Sequence, residues 1–227
     1  MNSEGEQQTP APSAEERWRA VQAGEQKRIF RIISTHSPEE ASEILAQEKV
    51  ESRKNYLKDE MTGLWTLAAG EAQLQRLAAH NLRHGNTPVS IISLDMDNFS
   101  EINNEQDHAQ GDRAIGILAE VLKRAAREGD MPCRRYPTGD EFFVVLPSTG
   151  TEEAQVYAER IRAKIPETMN KEGFKGVTAS IGVATLATDF TNIKSLLNDA
   201  DVAQIAAKKA GKNRIVVYTS DLKSQAA

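Results

Sequence analysis

The chain of 227 residues carries a net charge of −5, with 39% apolar and 27% charged residues. This balance is typical of a globular protein with one good-sized domain and an extension. The acidic excess excludes an overall basic surface for a nucleic-acid polymer, so any phosphate binding has to be local. The single cysteine, Cys133, excludes an internal disulfide and is compatible with a reducing compartment. We expect a cytoplasmic protein, because no apolar run approaches the ~20 residues of a membrane span and the start is not a signal peptide.

The N-terminal quarter predicts a tail followed by helices. Residues 1–13 are polar with almost nothing to bury, so we expect disorder there. Residues 14–58 are predicted to form a helical extension, in which Ser37-Pro38-Glu39-Glu40 predicts a helix start with a capping box. That helix is expected to run to about Lys58 and is mostly polar. Two interpretations stay open: it packs on a neighbour or a second copy of the chain, or it is a solvated connector.

Residues 59–220 predict one α+β domain, and residues 221–227 a second tail. The predicted elements, in chain order, are a helix to residue 84, a strand at 88–94, a helix at 111–127, a hairpin within 130–147, a helix at 152–164, a strand at 177–186, a helix at 193–210 and a strand at 214–219. From residue 88 this order predicts a central antiparallel sheet of ferredoxin-like type with helices on one face.

Acidic residues stand at the ends of two predicted strands. The hairpin carries Asp140 and Glu141 at or just beyond its tip, and Asp95 and Asp97 follow the buried strand on one face. If the strand pairs beside the hairpin, Asp95, Asp140 and Glu141 converge, and metal or protons have to neutralise them. That arrangement is expected of a two-metal phosphoryl-transfer site. Taken singly, a solvated acidic turn at the tip and a hydrogen-bonded Asp-x-Asp turn remain open.

Two lysines lie at the end of the last long predicted helix. Lys208 is in the final turn and Lys212 follows it. Cations suit a helix C-terminus, and the same side chains suit a clamp on a triphosphate. The sequence leaves both interpretations open.

In combination these segments resemble the GGDEF domain, the diguanylate cyclase family that joins two GTP molecules into cyclic di-GMP. The resemblance spans about residues 58 to 218 and rests on motifs in the family's order. Asp59-Glu-Met-Thr-Gly-Leu64 is similar to D-x-L-T-G-L, Asp95-Met-Asp-Asn-Phe99 to D-x-D-x-F, residues 107–112 to G-H-x-x-G-D, Thr138-Gly-Asp-Glu-Phe142 to the signature itself, and residues 200–213 to A-D-x-A-L-Y-x-A-K-x-x-G-R/K-N.

The resemblance implies a role for each matched position. Asp140 and Glu141 are implied as the catalytic pair, with Asp140 the candidate base for the ribose 3′-hydroxyl that attacks the α-phosphate of a second GTP. Asn103 and Asp112 are implied to read guanine, because a carboxylate accepts from its N1–H and N2–H. The full implied set is Asp95, the Met96 carbonyl, Asp140 and Glu141 for Mg²⁺ (or Mn²⁺); Phe99, Ser100, Asn103, Asp112, Thr138, Gly139, Lys208 and Lys212 for GTP; and Arg127, Asp130 and Arg160 for inhibition by cyclic di-GMP.

The resemblance also implies an antiparallel homodimer, since each domain carries one GTP, with residues 14–58 as the dimerising input. Three departures from the family pattern bear on activity. Thr138 replaces the first signature glycine, where strain at φ > 0 costs about 1–3 kcal/mol. Two extra residues lengthen the hairpin tip, an even insertion that preserves side-chain alternation in both strands. Ser100 replaces a usual lysine near the phosphates.

Three hypotheses follow from these observations. The first is an active, Mg²⁺-dependent and product-inhibited diguanylate cyclase, which the retained carboxylates favour. The second is a catalytically silent GGDEF domain that acts as a receptor for cyclic di-GMP or GTP, which Thr138 and the longer tip favour. The third is a pure dimerisation module, which predicts no rise of melting temperature with nucleotide.

Overall fold

The computed structural model describes residues 27–28, 31–32, 34–45, 57–85, 87–104, 108–135, 139–187 and 193–225. The chain divides into two compact units, Met1–Lys54 and Asn55–Ala227. Among the described residues, no helix is long and apolar enough to cross a membrane.

In the first unit, residues 38–45 are helical and begin where the sequence predicts. The Ser37 backbone N–H donates to Glu40 Oε2 at 2.9 Å, and the Glu40 N–H donates to Ser37 Oγ at 3.4 Å. This reciprocal pair confirms the predicted capping box. The predicted disordered tail and most of the predicted stripe at 14–34 lie outside the described residues, as does the helix beyond residue 45.

The second unit contains a mixed sheet of six strands. The strands are β1 (Trp65–Thr66), β2 (Val89–Asp97), β3 (Met131–Arg134), β4 (Glu141–Pro147), β5 (Thr178–Leu186) and β6 (Ile215–Val217). Their order across the sheet is β1-β3-β4-β2-β5-β6. The four inner strands pair antiparallel, whereas β1 and β6 join parallel to their neighbours. The predicted antiparallel sheet is therefore confirmed for its centre.

Six helices of this unit lie in the described part of the chain. They are α1 (Leu67–His84), α2 (Phe99–Asn104), α3 (His108–Ala125), α4 (Thr151–Lys171), α5 (Ile193–Lys209) and α6 (Ser220–Gln225). The sequence did not predict α2 or α6, and it ended α4 too early, before Pro166. The helix continues because Ile161, Ile165 and Met169 repeat at four-residue spacing and are all buried, so packing outweighs the proline.

Helices cover both faces of the sheet, so the prediction of helices on one face was wrong. Two adjacent phenylalanines on β4 pack on opposite faces of the sheet, because successive strand residues point to opposite faces. Phe142 packs into one buried cluster with residues of α3 and α4, and Phe143 into another with residues of α1 and α5. The prediction overlooked a local signal: β2 is buried along its whole length and carries adjacent apolar residues on both faces, which is typical of a strand covered on both sides.

The helix α5 lies unusually close to β5. A Cβ atom on Gly182 would lie 2.1 Å from the Ala200 carbonyl oxygen and 2.3 Å from the Gln204 nitrogen. Only glycine permits this approach of helix backbone to strand backbone. The contact seats the face of α5 that carries Ala200, Ala203 and Ala207 directly on the sheet, and Asp201 and Lys208 lie half-buried at its margin.

Candidate active site

The pairing of β2 with β4 brings the two acidic segments together, as the sequence predicts. Asp95 and Glu141 are Cα partners at the end of this antiparallel ladder. The hairpin of β3 and β4 forms despite its longer tip, and the Arg135 N–H donates to the Glu141 carbonyl oxygen at 3.0 Å beyond the last ladder pair. Partners directly opposite each other project to the same face. The carboxylates of Asp95 and Glu141 are therefore neighbours on the face covered by α5.

Asp95 is a buried acid with one cationic neighbour. The Lys208 Nζ lies 2.6 Å from Asp95 Oδ1 and forms an ion pair with it, and this buried oxygen has no other partner among the described residues. The pKa of Asp95 is raised to about 6, mainly by burial and also by the negative charges of Asp140 and Glu141, against the opposing effect of Lys208. Burial also raises the pKa of Asp140. The site holds more negative charge than its surroundings neutralise.

Asp97 has a different task from Asp95. Its carboxylate accepts hydrogen bonds from Thr178 Oγ1 and Ser180 Oγ, both at 2.6 Å, and from the Asn213 N–H at 3.0 Å. Lys212 and Asn213 both have positive φ, so the turn after α5 is conformationally costly and Asp97 helps to hold it. The sequence placed both acids on one face but did not predict that the second one anchors the lysine-bearing turn.

Both candidate phosphate-binding lysines lie at the carboxyl end of β2. Lys208 sits beside Asp95, and Lys212 donates from Nζ to Asn98 Oδ1 at 2.6 Å. Asn98 directly follows β2 and itself has a positive φ of 62°. The structure thus places two ammonium groups at the edge of the sheet where the acids lie. It supports the interpretation of a phosphate clamp as well as that of a helix end.

Arg135 was missed by the sequence analysis, although it lies in the lengthened segment before the signature. Its Nη1 contacts Glu141 Oε2 at 3.4 Å, and its Nη2 contacts Asp201 Oδ2 at 2.9 Å. Asp201 also accepts from Ser93 Oγ at 2.7 Å. The preceding Arg134 has a separate partner, Asp59, at 3.1 Å. Strand pairing alone carries no signal for such contacts, because they depend on where α5 lies.

The residues present fit a divalent cation in their chemistry. Within the described ranges, no group of three or more His, Cys, Asp or Glu side chains is arranged to hold a metal ion. The expected convergence is therefore limited to the Asp95–Glu141 pair with Asp140 nearby, while Lys208 and Arg135 occupy these carboxylates. Three neighbouring carboxylates, one of them buried with a raised pKa, are what a hard, oxygen-seeking cation neutralises. Met96 buries its side chain in the core, so only its backbone is available to the site.

The remaining candidate GTP residues are described unevenly. Phe99 is half-buried at the start of α2, and a Cβ atom on Gly139 would meet its ring at 3.9 Å. Gly139 thus lies against α2, in which Ser100 is exposed. Asp112 is exposed in the second turn of α3. The remaining two candidates, Asn103 and Thr138, have no described side chain, so the predicted strain at Thr138 lies outside the described residues.

The candidate product-inhibition residues do gather. Asp130 Oδ2 accepts from the Arg127 N–H at 2.7 Å, in the turn between α3 and β3. Arg160 on α4 donates to the Ala125 carbonyl oxygen at 2.7 Å and lies over the Tyr157 ring at 5.0 Å. Burial raises the pKa of Tyr157, with the charges of Asp130, Arg160 and Arg127 all within electrostatic reach. Tyr157 is thus a further residue of this cluster.

The structure thus has a mixed sheet with paired carboxylates at the end of its central strand and two lysines beside them. Residues 56–214 match the family described as diguanylate cyclase, GGDEF domain. The match covers most of the chain, and the chain belongs to the GGDEF family. This confirms the resemblance drawn from the motifs.

Three curated relatives show the range of proteins that contain such a region. Diguanylate cyclase A of Treponema denticola is 35% identical over 136 residues, 59% of this chain and 36% of that protein. The response regulator PleD of Caulobacter vibrioides is 35% identical over 162 residues, 70% of this chain and 35% of that protein. The cyclic di-GMP phosphodiesterase NbdA of Pseudomonas aeruginosa is 31% identical over 166 residues, 72% of this chain and 21% of that protein. This chain spans about a third or less of the length of these relatives.

Solved structures confirm the α+β GGDEF fold. The GGDEF domain of DgcB from Caulobacter crescentus, in complex with c-di-GMP, has a TM-score of 0.64 and 26% identity over 71% of this chain and 95% of that chain. The active GGEEF domain of a diguanylate cyclase from Vibrio cholerae has a TM-score of 0.59 and 30% identity over 66% of this chain and 94% of that chain.

Proposed function

We propose that this protein is a diguanylate cyclase that condenses two GTP molecules into cyclic di-GMP with release of pyrophosphate. The observation that carries the proposal is the pairing of buried Asp95 with Glu141, flanked by Asp140 and Lys208. Relatives named diguanylate cyclases support it at the level of the family. A buried carboxylate with a raised pKa lowers the stability of the folded protein, and such groups are typical of functional sites.

The acids serve cation binding and proton transfer in this proposal. Asp95, Asp140, Glu141 and the Met96 carbonyl would hold Mg²⁺ (or Mn²⁺), which when bound neutralises the charge on the reacting phosphates. Asp140 accepts the proton of the ribose 3′-hydroxyl as that oxygen attacks the α-phosphate of the second GTP and pyrophosphate leaves. The raised pKa of Asp140, caused mainly by burial, makes it a stronger base than an ordinary aspartate.

The lysines and the guanine-reading residues position the substrate. Lys208 exchanges its contact with Asp95 for the β- and γ-phosphates, and Lys212 approaches them from the turn that Asp97 holds. Asn103 and Asp112 read the guanine edge, while Phe99, Ser100, Thr138 and Gly139 border the nucleotide. Since one such site carries one GTP, a homodimer completes the reaction, and residues 14–58 supply the dimerising and signal-input segment.

Product inhibition is proposed at the cluster of Arg127, Asp130 and Arg160. Arg127 and Asp130 lie in the turn between α3 and β3, Arg160 reaches the end of α3 from α4, and guanidinium forks bind phosphates bidentately. The same cluster supports a second candidate function, a silent domain that binds cyclic di-GMP as a receptor. The relative named a cyclic di-GMP phosphodiesterase shows that this region also occurs in proteins not named as cyclases.

The test is product formation by purified protein from GTP and Mg²⁺, identified by mass spectrometry. Asp140→Asn is the control, since it keeps the shape of the side chain and removes the base. Cyclic di-GMP from the wild type but not from Asp140→Asn supports the cyclase. Absence of product even at high protein concentration, with binding of cyclic di-GMP that Arg127→Ala abolishes, establishes the receptor instead.

A further inference from the structure

The guanidinium of Arg135 joins the signature hairpin to helix α5 through two carboxylates. One nitrogen lies 2.9 Å from Asp201 Oδ2 and another lies 3.4 Å from Glu141 Oε2. Asp201 is itself fixed on its other oxygen by the hydroxyl of Ser93 on β2, at 2.7 Å. The shorter and doubly supported contact is therefore with Asp201, and the longer one is with Glu141.

The two acids that face each other across the β2–β4 ladder each have a cation of this chain beside them. Lys208 lies at Asp95, and Arg135 lies at Glu141. Without these cations, the facing carboxylates would repel each other. The same two carboxylates are the proposed ligands of a divalent cation. A carboxylate oxygen engaged with a guanidinium offers less electron density to a metal ion, so Arg135 and the cation compete for Glu141.

We propose that Arg135 is a positioning residue that holds Glu141 in the cation-free protein and thereby lowers the affinity of the site for divalent cations. When the cation takes Glu141, the guanidinium stays on Asp201, which keeps it close enough to return. The proposal rests on the proposed function only where Glu141 is taken as a metal ligand. It explains why Asp95, Asp140 and Glu141, although near one another, are not arranged around a metal position in the described part of the chain.

A purely architectural role for Arg135 makes different predictions. If Arg135 only fastens the hairpin to α5, its substitution lowers the melting temperature and leaves the affinity of the site for divalent cations unchanged. A simple field effect of its positive charge affects cation affinity, but independently of Asp201. Only competition makes the effect of Asp201 depend on Arg135, because Asp201 then acts by drawing the guanidinium away from Glu141.

The experiment is a Mn²⁺ titration of the nucleotide-free protein, followed by the relaxation of water protons, with circular dichroism melts to verify folding. We expect Arg135→Gln to bind Mn²⁺ about three- to tenfold more tightly than the wild type. Arg135→Lys keeps the charge but loses the fork, so it should lie between the two. Asp201→Asn should weaken Mn²⁺ binding in the wild-type background, because the guanidinium then loses the carboxylate that draws it away from Glu141.

The decisive comparison is the double variant Arg135→Gln/Asp201→Asn. Competition predicts that Asp201→Asn has little effect once Arg135 is absent. The proposal is overturned if Asp201→Asn weakens Mn²⁺ binding equally in both backgrounds, or if Arg135→Gln leaves the affinity unchanged, including the case in which neither it nor the wild type binds Mn²⁺. Because no turnover is measured, absence of cyclic di-GMP in the product assay would refute the cyclase without deciding this result.

Discussion

Asp95 and Asp97 are the same residue type on the same face of β2, but their surroundings differ. Asp97 is 1% exposed and accepts three hydrogen bonds, whereas Asp95 is 6% exposed and its one partner among the described residues is the Lys208 ammonium group. Hydrogen bonds to a carboxylate stabilise its charged form, and burial without them destabilises it. Asp95 is therefore suited to bind a ligand, and Asp97 is suited to stabilise the fold.

Substitution of each by asparagine should change stability in opposite directions. Asp97→Asn places an amide N–H₂ against hydroxyl and N–H donors, and should lower the free energy of unfolding by about 1–3 kcal/mol. Asp95→Asn removes a poorly compensated buried charge, and should raise it by about 2 kcal/mol at pH 7 in metal-free buffer. Urea unfolding of the two variants and the wild type measures both changes. Equal losses in the two variants would contradict the distinction.

The gain from Asp95→Asn should depend on pH. The pKa of Asp95 is about 6 in the folded protein and 3.8 in the unfolded chain, so the folded state binds the proton more strongly. The penalty of the ionised carboxylate is absent below pH 4, grows between pH 4 and 6, and is complete above pH 6. The stability difference between variant and wild type should follow that window in unfolding measurements from pH 4 to 8. A difference that is constant with pH would show that ionisation of Asp95 is not its cause.

At the scale of elements, the approach of α5 to β5 decides where the site residues lie. Gly182→Ala puts a methyl group against the backbone of α5 and should cost about 3 kcal/mol, since backbone cannot rotate away as a side chain can. Gly116→Ala is the matched control, because nothing lies within 4 Å of its Cβ position in α3. It should be neutral or stabilise by about 0.5–1 kcal/mol. Thermal melts of both variants test this, and similar melting temperatures would refute the close-packing argument.

The elements also show how much of the fold can be predicted from the sequence. Strands β2 to β5 and the long helices could be predicted because their apolar periodicity and capping residues are local. The sequence made the approach of Asp95 to Glu141 conditional on the pairing of β2 beside the hairpin, which the structure supplies. What could not be predicted depends on packing between distant segments: the length of α4 and the contacts of Arg135 with α5. Side-chain partners of that kind are set by tertiary geometry, which no local pattern encodes.

At the scale of the whole molecule, the site combines a buried acid, whose ionised form is disfavoured by burial, with the cations that partly compensate its charge. During a reaction cycle, Lys208 is proposed to leave Asp95 for the phosphates. Arg135 is proposed to release Glu141 while it stays on Asp201. A folded protein keeps an uncompensated buried charge at a cost to its stability, so the site is expected to be more stable without Asp95 and functional only with it.

The most direct test of this account is the initial rate of cyclic di-GMP formation by Asp95→Asn, beside the wild type at equal protein, GTP and Mg²⁺ concentrations. The account predicts that the wild type forms product, whereas Asp95→Asn is folded, at least as stable and inactive by at least about a hundredfold, the scale expected when charge stabilisation at a reacting phosphate is lost. Cyclic di-GMP formation by Asp95→Asn at a rate close to that of the wild type would contradict it.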